Sequence, residues 1–212
     1  MKPKISISVI MPIYNAEKTL ERALDSIPLA KDIQVILLDD GSTDNSWQIA
    51  LDWWRRHNTD GTGSIIHRWE DNKGVAATMN LGFNLARGEY IGSLSSDDWF
   101  VANIDQFRPY FDGTNDLVYF DLEVNDGSIW HLDKKSKDMF VGAVKFMRRE
   151  FVGDTRIPEL KWEEDVPFSQ ALQKKNPKEV FTGIVAKRYN FPREGSLSWQ
   201  KEHQNDKILA QN

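Results

Sequence analysis

The chain has 212 residues, 40% hydrophobic and 28% charged, a globular composition long enough to give one α/β domain a full core. Its 32 acids against 27 lysines and arginines leave a net charge of −5. The basic clusters, Lys134-Lys135 with Lys137 and Arg148-Arg149, are short and interrupted by acids, which argues against a nucleic-acid partner.

Ile5 to Met11 (ISISVIM) alternates and then turns fully apolar, the pattern of a strand buried on both faces, and Pro12 is expected to end it. A helix should follow with Asn15 as its N-cap and Leu20, Ala23, Leu24 and Ile27 on one face. Ile33 to Leu38 reads as the second strand. It runs into Asp39-Asp40-Gly41-Ser42-Thr43-Asp44-Asn45-Ser46, then a helix carrying Trp47, Ile49, Ala50, Leu51 and Trp54, with Asp44 as a cap. Ser64 to Trp69 is a shorter strand; Asp71-Asn72-Lys73-Gly74 turns the chain into a helix from Val75 to Arg87, with Gly88 in the usual C-cap position. Glu89 to Leu94 is the fourth strand and ends on Ser95-Ser96-Asp97-Asp98.

Strand and helix alternation of this kind predicts a Rossmann-like, mostly parallel twisted sheet with helices on both faces, in which ligands bind outside the carboxyl ends of the strands. Tyr14, Asp40, Lys73 and Asp97 all lie just past strand ends and should converge on one crevice. The adjacent carboxylates Asp97 and Asp98 repel each other. A structure that keeps both ionised usually supplies a cation, which at such an edge can hold a phosphate; a turn or N-cap pair is the plainer alternative.

Beyond this point the pattern is less regular. Leu117 to Val124 reads as a strand, Asn125-Asp126-Gly127 as a hairpin turn into Ser128-Ile129-Trp130, and Val141 to Glu150 as a short helix ending in Arg148-Arg149. Glu163-Glu164-Asp165-Val166-Pro167 leads into a helix with Phe168, Ala171 and Leu172 inward, and Val180 to Ala186 forms a last strand. The chain has no cysteine, which excludes disulfides, zinc-thiolate sites and thiol catalysis, and its four histidines lack metalloprotease spacing. No apolar run approaches the roughly 20 residues of a membrane span and no signal peptide precedes the first strand. These features suggest a soluble cytoplasmic protein, with peripheral membrane association left open.

VIMPIYN, LLDDGSTDNS, NKGVAATMNLGFNLARGEYI leading into SLSSDDW, and WEEDVPFSQAL, in this order and on these elements, together resemble the inverting nucleotide-sugar glycosyltransferases of family 2, which have the GT-A fold. The resemblance implies one GT-A domain over residues 1–200, a nucleotide-sugar-binding half to residue 100 and an acceptor-binding half after it, with a polar tail over 201–212. It implies that Pro12 and Tyr14 wall the base, that Asp40 accepts a base N–H, and that Lys73 and Gly74 lie near base and ribose. Asp97 and Asp98 would hold Mn²⁺ or Mg²⁺ on the donor diphosphate, Asp97 also touching the nucleotide. The family pattern reads Leu-Asp-x-Asp-Asp where this chain has Leu94-Ser95-Ser96-Asp97-Asp98, so Ser95 brings a hydroxyl to the ribose and metal region where a charge is usual.

The family's general base falls on Asp165 of the Glu164-Asp165 pair, and like-charge repulsion from Glu163 and Glu164 should raise its pKa; an N-cap is the alternative role. The resemblance further suggests Arg148, Arg149, Glu164 and Arg193 for diphosphate or acceptor contacts, and Trp99 and Trp162 as surfaces on which a sugar could stack. The implied reaction moves a sugar, hexosyl or N-acetylhexosaminyl, from a nucleotide-diphosphate sugar, UDP-linked by first expectation, to an acceptor hydroxyl. A glycine-rich phosphate loop after strand one, as a nucleotidyltransferase needs, is missing from PIYNAEK. The non-enzyme reading is a degenerate nucleotide-sugar binder, for which Ser95 is the hint.

Overall fold

Ile7, Val9, Ile10 and Met11 are fully buried because β1 (Ile7–Ile13) is an inner strand of a mixed sheet. The computed structural model describes residues 5–58, 63–136, 144–160 and 164–190. β1 pairs in parallel with β2 (Ile33–Asp39), from Ile7↔Ile33 to Ile13↔Asp39, and with β4 (Tyr90–Ser93), from Ile7↔Tyr90 to Ile10↔Ser93. β3 (Ile65–Arg68) pairs in parallel with β2. The remaining strands are β5 (Trp99–Phe100), β6 (Leu117–Val124), β7 (Ile129–Trp130), β8 (Lys145–Arg148) and β9 (Glu179–Tyr189). They continue one sheet in the order β3-β2-β1-β4-β8-β6-β9-β5, with β7 on β6.

Pro12 lies inside β1 rather than ending it. Successive residues of β1 face β2 and β4 in turn, and Leu94 N–H reaches Ile10 O on the β4 side, so Pro12 also faces β4, beyond the last β1–β4 pair. Its missing N–H therefore removes no ladder bond. The sheet places its carboxyl edge where sequence alternation puts it: the strand order runs outward from β1 to β3 and then jumps back to β4, so the topological switch lies between β1 and β4. Right-handed crossovers put α1 (Leu20–Asp25) and α2 (Ser46–His57) on one face and α3 (Val75–Leu85) on the other.

Two expected elements differ. Residues 145–148, placed in a helix by the sequence reading, form β8, antiparallel to both β4 and β6, and only Arg149–Val152 are helical, as α4. KFMR buries Lys145, Phe146 and Met147 together, and the sheet position overrides a helical pattern too short to settle the matter. Gly88 does not cap α3, which stops at Leu85 with Ala86 already extended. Gly88 instead lets the chain pass against β1: a Cβ there would lie 2.3 Å from Ser8 N, and its own N–H donates to Ser8 Oγ at 2.8 Å.

At the opposite end of the sheet, Arg108 forks onto both oxygens of Asp32 at 2.5 and 3.1 Å. That bond holds the Asp32 carboxyl below its ordinary 3.8 despite partial burial. A depressed carboxylate pKa stabilises the fold above the unfolded value and loses that contribution as pH falls through the folded one. Wild type should therefore lose melting temperature more steeply than Asp32→Asn below about pH 4, and the two should run parallel in acid titration if the pair contributes nothing.

Candidate active site

The loop after β1 is sewn to the loop after β2 by the polar residues of GSTDNS. Asn15 N–H donates to Ser42 Oγ at 3.0 Å, Ala16 N–H to Ser46 Oγ at 2.7 Å and Glu17 N–H to Asp44 Oδ2 at 3.1 Å. Asp44 also accepts Ser46 N–H at 2.9 Å, but it is not the cap of α2, whose cap position is Asn45, one residue on. Asn15 is not the N-cap of α1, whose cap position is Thr19. It takes a left-handed conformation, φ 47°, and its Oδ1 accepts Thr43 N–H at 2.8 Å. Short polar side chains tolerate that region better than other non-glycine residues. Tyr14, just before it, is left 49% exposed and is not among the residues lining the cleft described below.

The two acids ending β2 turn inward. Asp39 Oδ1 accepts Ser42 N–H at 3.0 Å and faces Arg68 Nε at 3.4 Å, while its buried Oδ2 has no hydrogen-bond partner among the described residues. Asp40 uses both oxygens on the loop before α3: Oδ1 accepts Lys73 N–H at 2.6 Å and Oδ2 accepts Gly74 N–H at 2.9 Å. Burial raises the Asp40 pKa and these bonds pull against it. Gly41 makes the fit possible, because a Cβ there would meet Asn72 N at 2.7 Å. Asp40, Lys73 and Gly74 thus form one clamped unit beside the carboxyl end of β1.

Asp97 and Asp98 separate. Asp97 is half-buried, two residues past Ser95. Asp98 is buried: its N–H bonds Ser95 O at 3.2 Å and its Oδ1 accepts Asn190 N–H at 2.9 Å. Burial drives the Asp98 pKa up, with the Asp97 charge pushing the same way; Asn190 N–H, the Lys187 ammonium and Ser95 hold it back. Lys187 is itself buried, which drives its pKa down while Asp98 opposes the shift. Asp98, expected beside Asp97 as a metal ligand, is thus buried with one oxygen taken up by Asn190 N–H. Among the described residues no three His, Cys, Asp or Glu side chains cluster as a metal cage. Asp97 with the Ser95 hydroxyl fits the other common arrangement, in which a divalent cation takes one or two carboxylates and completes its shell with substrate phosphates and water.

A cleft of ≈ 200 Å³ brings Pro12, Ser93 and Ser95 from the strand ends together with Glu164 and Asp165 at the start of α5 (Asp165–Gln173). Its walls are Val75, Met79 and Phe83 of α3, Met147 of β8, Ile157 and Phe168, and Phe83 stacks on Phe168 at 5.5 Å. Asp165 is the first helical residue; Glu164 occupies the N-cap position and makes no side-chain cap bond. Glu164 carries a raised pKa, from burial first and then from the Asp165 charge. Lys145 also lines the cleft, 4% exposed and 5.7 Å from the Tyr119 ring, a residue the sequence reading passed over because it lay in the misread helix.

Arg148 and Arg149 do not reach this cleft. Arg148 pairs with Tyr90 at the start of β4, at the opposite end of the strand from Ser95, and its guanidinium is held by Asp116 Oδ1 at 2.6 Å and Glu150 at 2.8 Å. Arg149 Nε donates to Gly88 O at 2.9 Å. Antiparallel β8 carries both away from the carboxyl edge, which corrects their expected place at the diphosphate or acceptor. Trp99 is covered by the Arg22 guanidinium, 3.6 Å from its ring centre, rather than open to a sugar. Arg193, Trp162, Glu163 and the expected tail lie outside the described residues.

The family model described as "Glycosyl transferase family 2" matches residues 8–181. An uncharacterized glycosyltransferase of Haemophilus influenzae is 31% identical over 213 residues, covering 91% of this chain and 80% of that protein. Glycosyltransferase GlyG of Streptococcus pneumoniae is 33% identical over 131 residues, covering 58% of this chain and 42% of its own. Against the uncharacterized glycosyltransferase EpsJ of Bacillus subtilis the match spans 26% of that protein, so the chain represents only a part of several relatives. Among solved structures, S. aureus TarS in complex with UDP-GlcNAc has a TM-score of 0.77 at 22% identity, covering 92% of this chain and 61% of that one. The mannosyltransferase PcManGT from Pyrobaculum calidifontis, in complex with GDP-Man and Mn²⁺, has a TM-score of 0.70 at 17% identity, covering 97% and 64%. These likenesses bear out the GT-A fold.

Proposed function

The chain belongs to glycosyl transferase family 2, and from that premise we propose that it is an inverting transferase moving a sugar from a UDP-sugar to an acceptor hydroxyl. The observation that carries the reading is the single cleft joining Pro12 and Ser95, at the β1–β4 switch, to Glu164 and Asp165. The base lies over Tyr14 and Pro12 and against the Asp40-clamped Lys73-Gly74 loop. The diphosphate lies over Ser95 and Asp97. Asp165 takes the proton from the acceptor hydroxyl as that oxygen bonds the anomeric carbon; the bond from that carbon to the diphosphate oxygen breaks, its electron pair leaves with UDP, and the centre inverts. Asp97, with the Ser95 hydroxyl, would hold Mn²⁺ or Mg²⁺, which would supply Lewis-acid neutralisation of the departing diphosphate. The donor class is supported by the UDP-GlcNAc in TarS, and the metal by the Mn²⁺ in PcManGT.

A thermal-shift panel of UDP-GlcNAc, UDP-glucose and GDP-mannose, each with Mn²⁺ and with chelator, tests the donor. UDP-sugars should raise the melting temperature most, and more with metal than with chelator. Release of UDP from the stabilising donor when acceptor glycans are added separates the enzyme from a non-catalytic binder.

Asp40→Ala strands the Lys73 and Gly74 N–H groups and should cost roughly 1–3 kcal/mol of stability. UDP affinity should fall while its dependence on metal stays intact, because the loop and base are affected and the diphosphate is not. Unchanged affinity in a folded variant would confine Asp40 to the turn.

A further inference from the structure

Outside the cleft, His131 and Asp121 form a dyad. His131 Nδ1–H donates to Asp121 Oδ2 at 2.6 Å, and Asp121 Oδ1 accepts Leu132 N–H at 2.9 Å. Asp121 is buried, while the imidazole is 76% exposed and its Nε2 has no hydrogen-bond partner among the described residues. A carboxylate can only accept, so the proton sits on Nδ1 and the lone pair on Nε2.

Strand pairing places this dyad. β9 takes one edge of β6 from Leu117 to Val124, so β8 and β7 share the other, β8 opposite Leu117–Tyr119 and β7 opposite Leu122–Glu123. His131, next after β7, therefore lies in the lane of β8, just beyond the Lys145 end of that strand. Met147 pairs with both Ile91 and Leu117, so Ser93 and Tyr119 stand level across Lys145, and Ser95 and Asp121 continue the same two lanes to the carboxyl edge. These lanes are two strand spacings, about 10 Å, apart. Asp121 shares a face of β6 with Tyr119, whose partner Lys145 lines the cleft. The irregularity against β9 leaves this alternation intact, because the extra residues lie on β9, between Phe181 and Val185. The dyad is not among the residues lining the cleft; it stands past Lys145 on the same face, at the rim.

We propose that His131 is an acceptor-binding residue: oriented by Asp121, its Nε2 accepts a hydrogen bond from a sugar hydroxyl of the acceptor. The lone pair selects the ligand. It needs an O–H, and the oxygens of an ionised diphosphate have none to give, so the dyad does not read the phosphates. A sugar hydroxyl can belong to donor or acceptor. The diphosphate is assigned to Ser95 and Asp97, after β4, whereas the dyad stands on β6 and past β7 in the second half of the chain, which favours the acceptor. Asp121 is a positioning residue. With both of its oxygens occupied, it holds the ring in one tautomer and one orientation before substrate arrives, which lowers the ordering cost of binding. The proposal rests on the reading of the cleft as a sugar-transfer site.

The test compares wild type, H131A, D121N and the H131A/D121N pair, with p-nitrophenyl β-glycosides of glucose, galactose and N-acetylglucosamine as acceptors and the most stabilising nucleotide sugar as donor. H131A should raise the acceptor KM roughly fivefold or more, as loss of one hydrogen bond does, with a smaller change in kcat and with UDP and donor affinities equal to wild type. D121N should raise the same KM by less, since its amide can satisfy only one of the two N–H groups, and should add nothing in the H131A background, since it acts through the ring. If H131A melts lower yet keeps the acceptor KM, the dyad is only a lock on the hairpin and the proposal is overturned. If H131A weakens the nucleotide sugar but not UDP, the hydroxyl is the donor's and the acceptor assignment is overturned. A further rise in KM from D121N in the H131A background would overturn the positioning role of Asp121. Should D121N fail to fold, H131A decides alone, because its side chain is exposed. If wild type binds UDP yet uses none of the glycosides, the proposal is overturned while the donor reading stands; if wild type binds no UDP, the cleft reading has failed and the proposal falls with it.

Discussion

Asp165→Asn should lower sugar transfer by ~10²-fold or more, as loss of a general base does, while leaving the fold and UDP affinity close to wild type. The separation is possible because of where Asp165 sits. It opens α5 as the first helical residue, and the cap position belongs to Glu164, which makes no side-chain cap bond. An amide at that position loses a favourable charge at the helix N-terminus, worth about 0.3–1 kcal/mol. It keeps a hydrogen-bond acceptor for the acceptor hydroxyl but cannot take the proton at neutral pH. Melting temperature, UDP affinity and product formation on one preparation check this. If transfer persists near the wild-type rate, Glu164 becomes the candidate base, since its burial already raises its pKa toward the range a base needs.

Asp97→Asn should remove the gain in UDP affinity that Mn²⁺ or Mg²⁺ confers and lower transfer by a comparable ~10²-fold or more, the several kcal/mol a Lewis acid contributes to a departing diphosphate. Affinity in chelator should hold or improve slightly, because the variant no longer sets a carboxylate against the diphosphate. The folding cost should be small, since the buried acid of the pair is Asp98 and Asp97 is only half-buried. UDP titrations of the variant in metal and in chelator decide the point. A metal gain equal to wild type would show that Asp97 does not hold the cation.

The first hundred residues were legible because each strand and helix is announced by its own periodicity, and because GSTDNS and DNKG place short polar side chains where backbone N–H groups need partners. What the sequence hid is long-range. Asn15 reads as a cap, yet its partner, Thr43, is on the next loop, and no local rule forecasts a pairing 28 residues away. Gly88 looks like a helix terminator, yet it is small because β1 passes against it. KFMR is ambiguous between helix and strand until β4 and β6 flank it, and with that ambiguity went the place of Arg148, Arg149 and Lys145. Asp97 and Asp98 are indistinguishable on paper. Only the return of the chain at Asn190, just past β9, whose N–H holds Asp98, tells the buried acid from the half-buried one.

A nucleoside diphosphate should bind at the β1–β4 switch with its charge met by a cation on Asp97. Isothermal titration of wild-type protein with UDP, in Mn²⁺ and then in chelator, tests it most directly. Binding should tighten at least tenfold with Mn²⁺, equivalent to about 1.4 kcal/mol. Equal affinity under the two conditions, or no UDP binding in either, would contradict it.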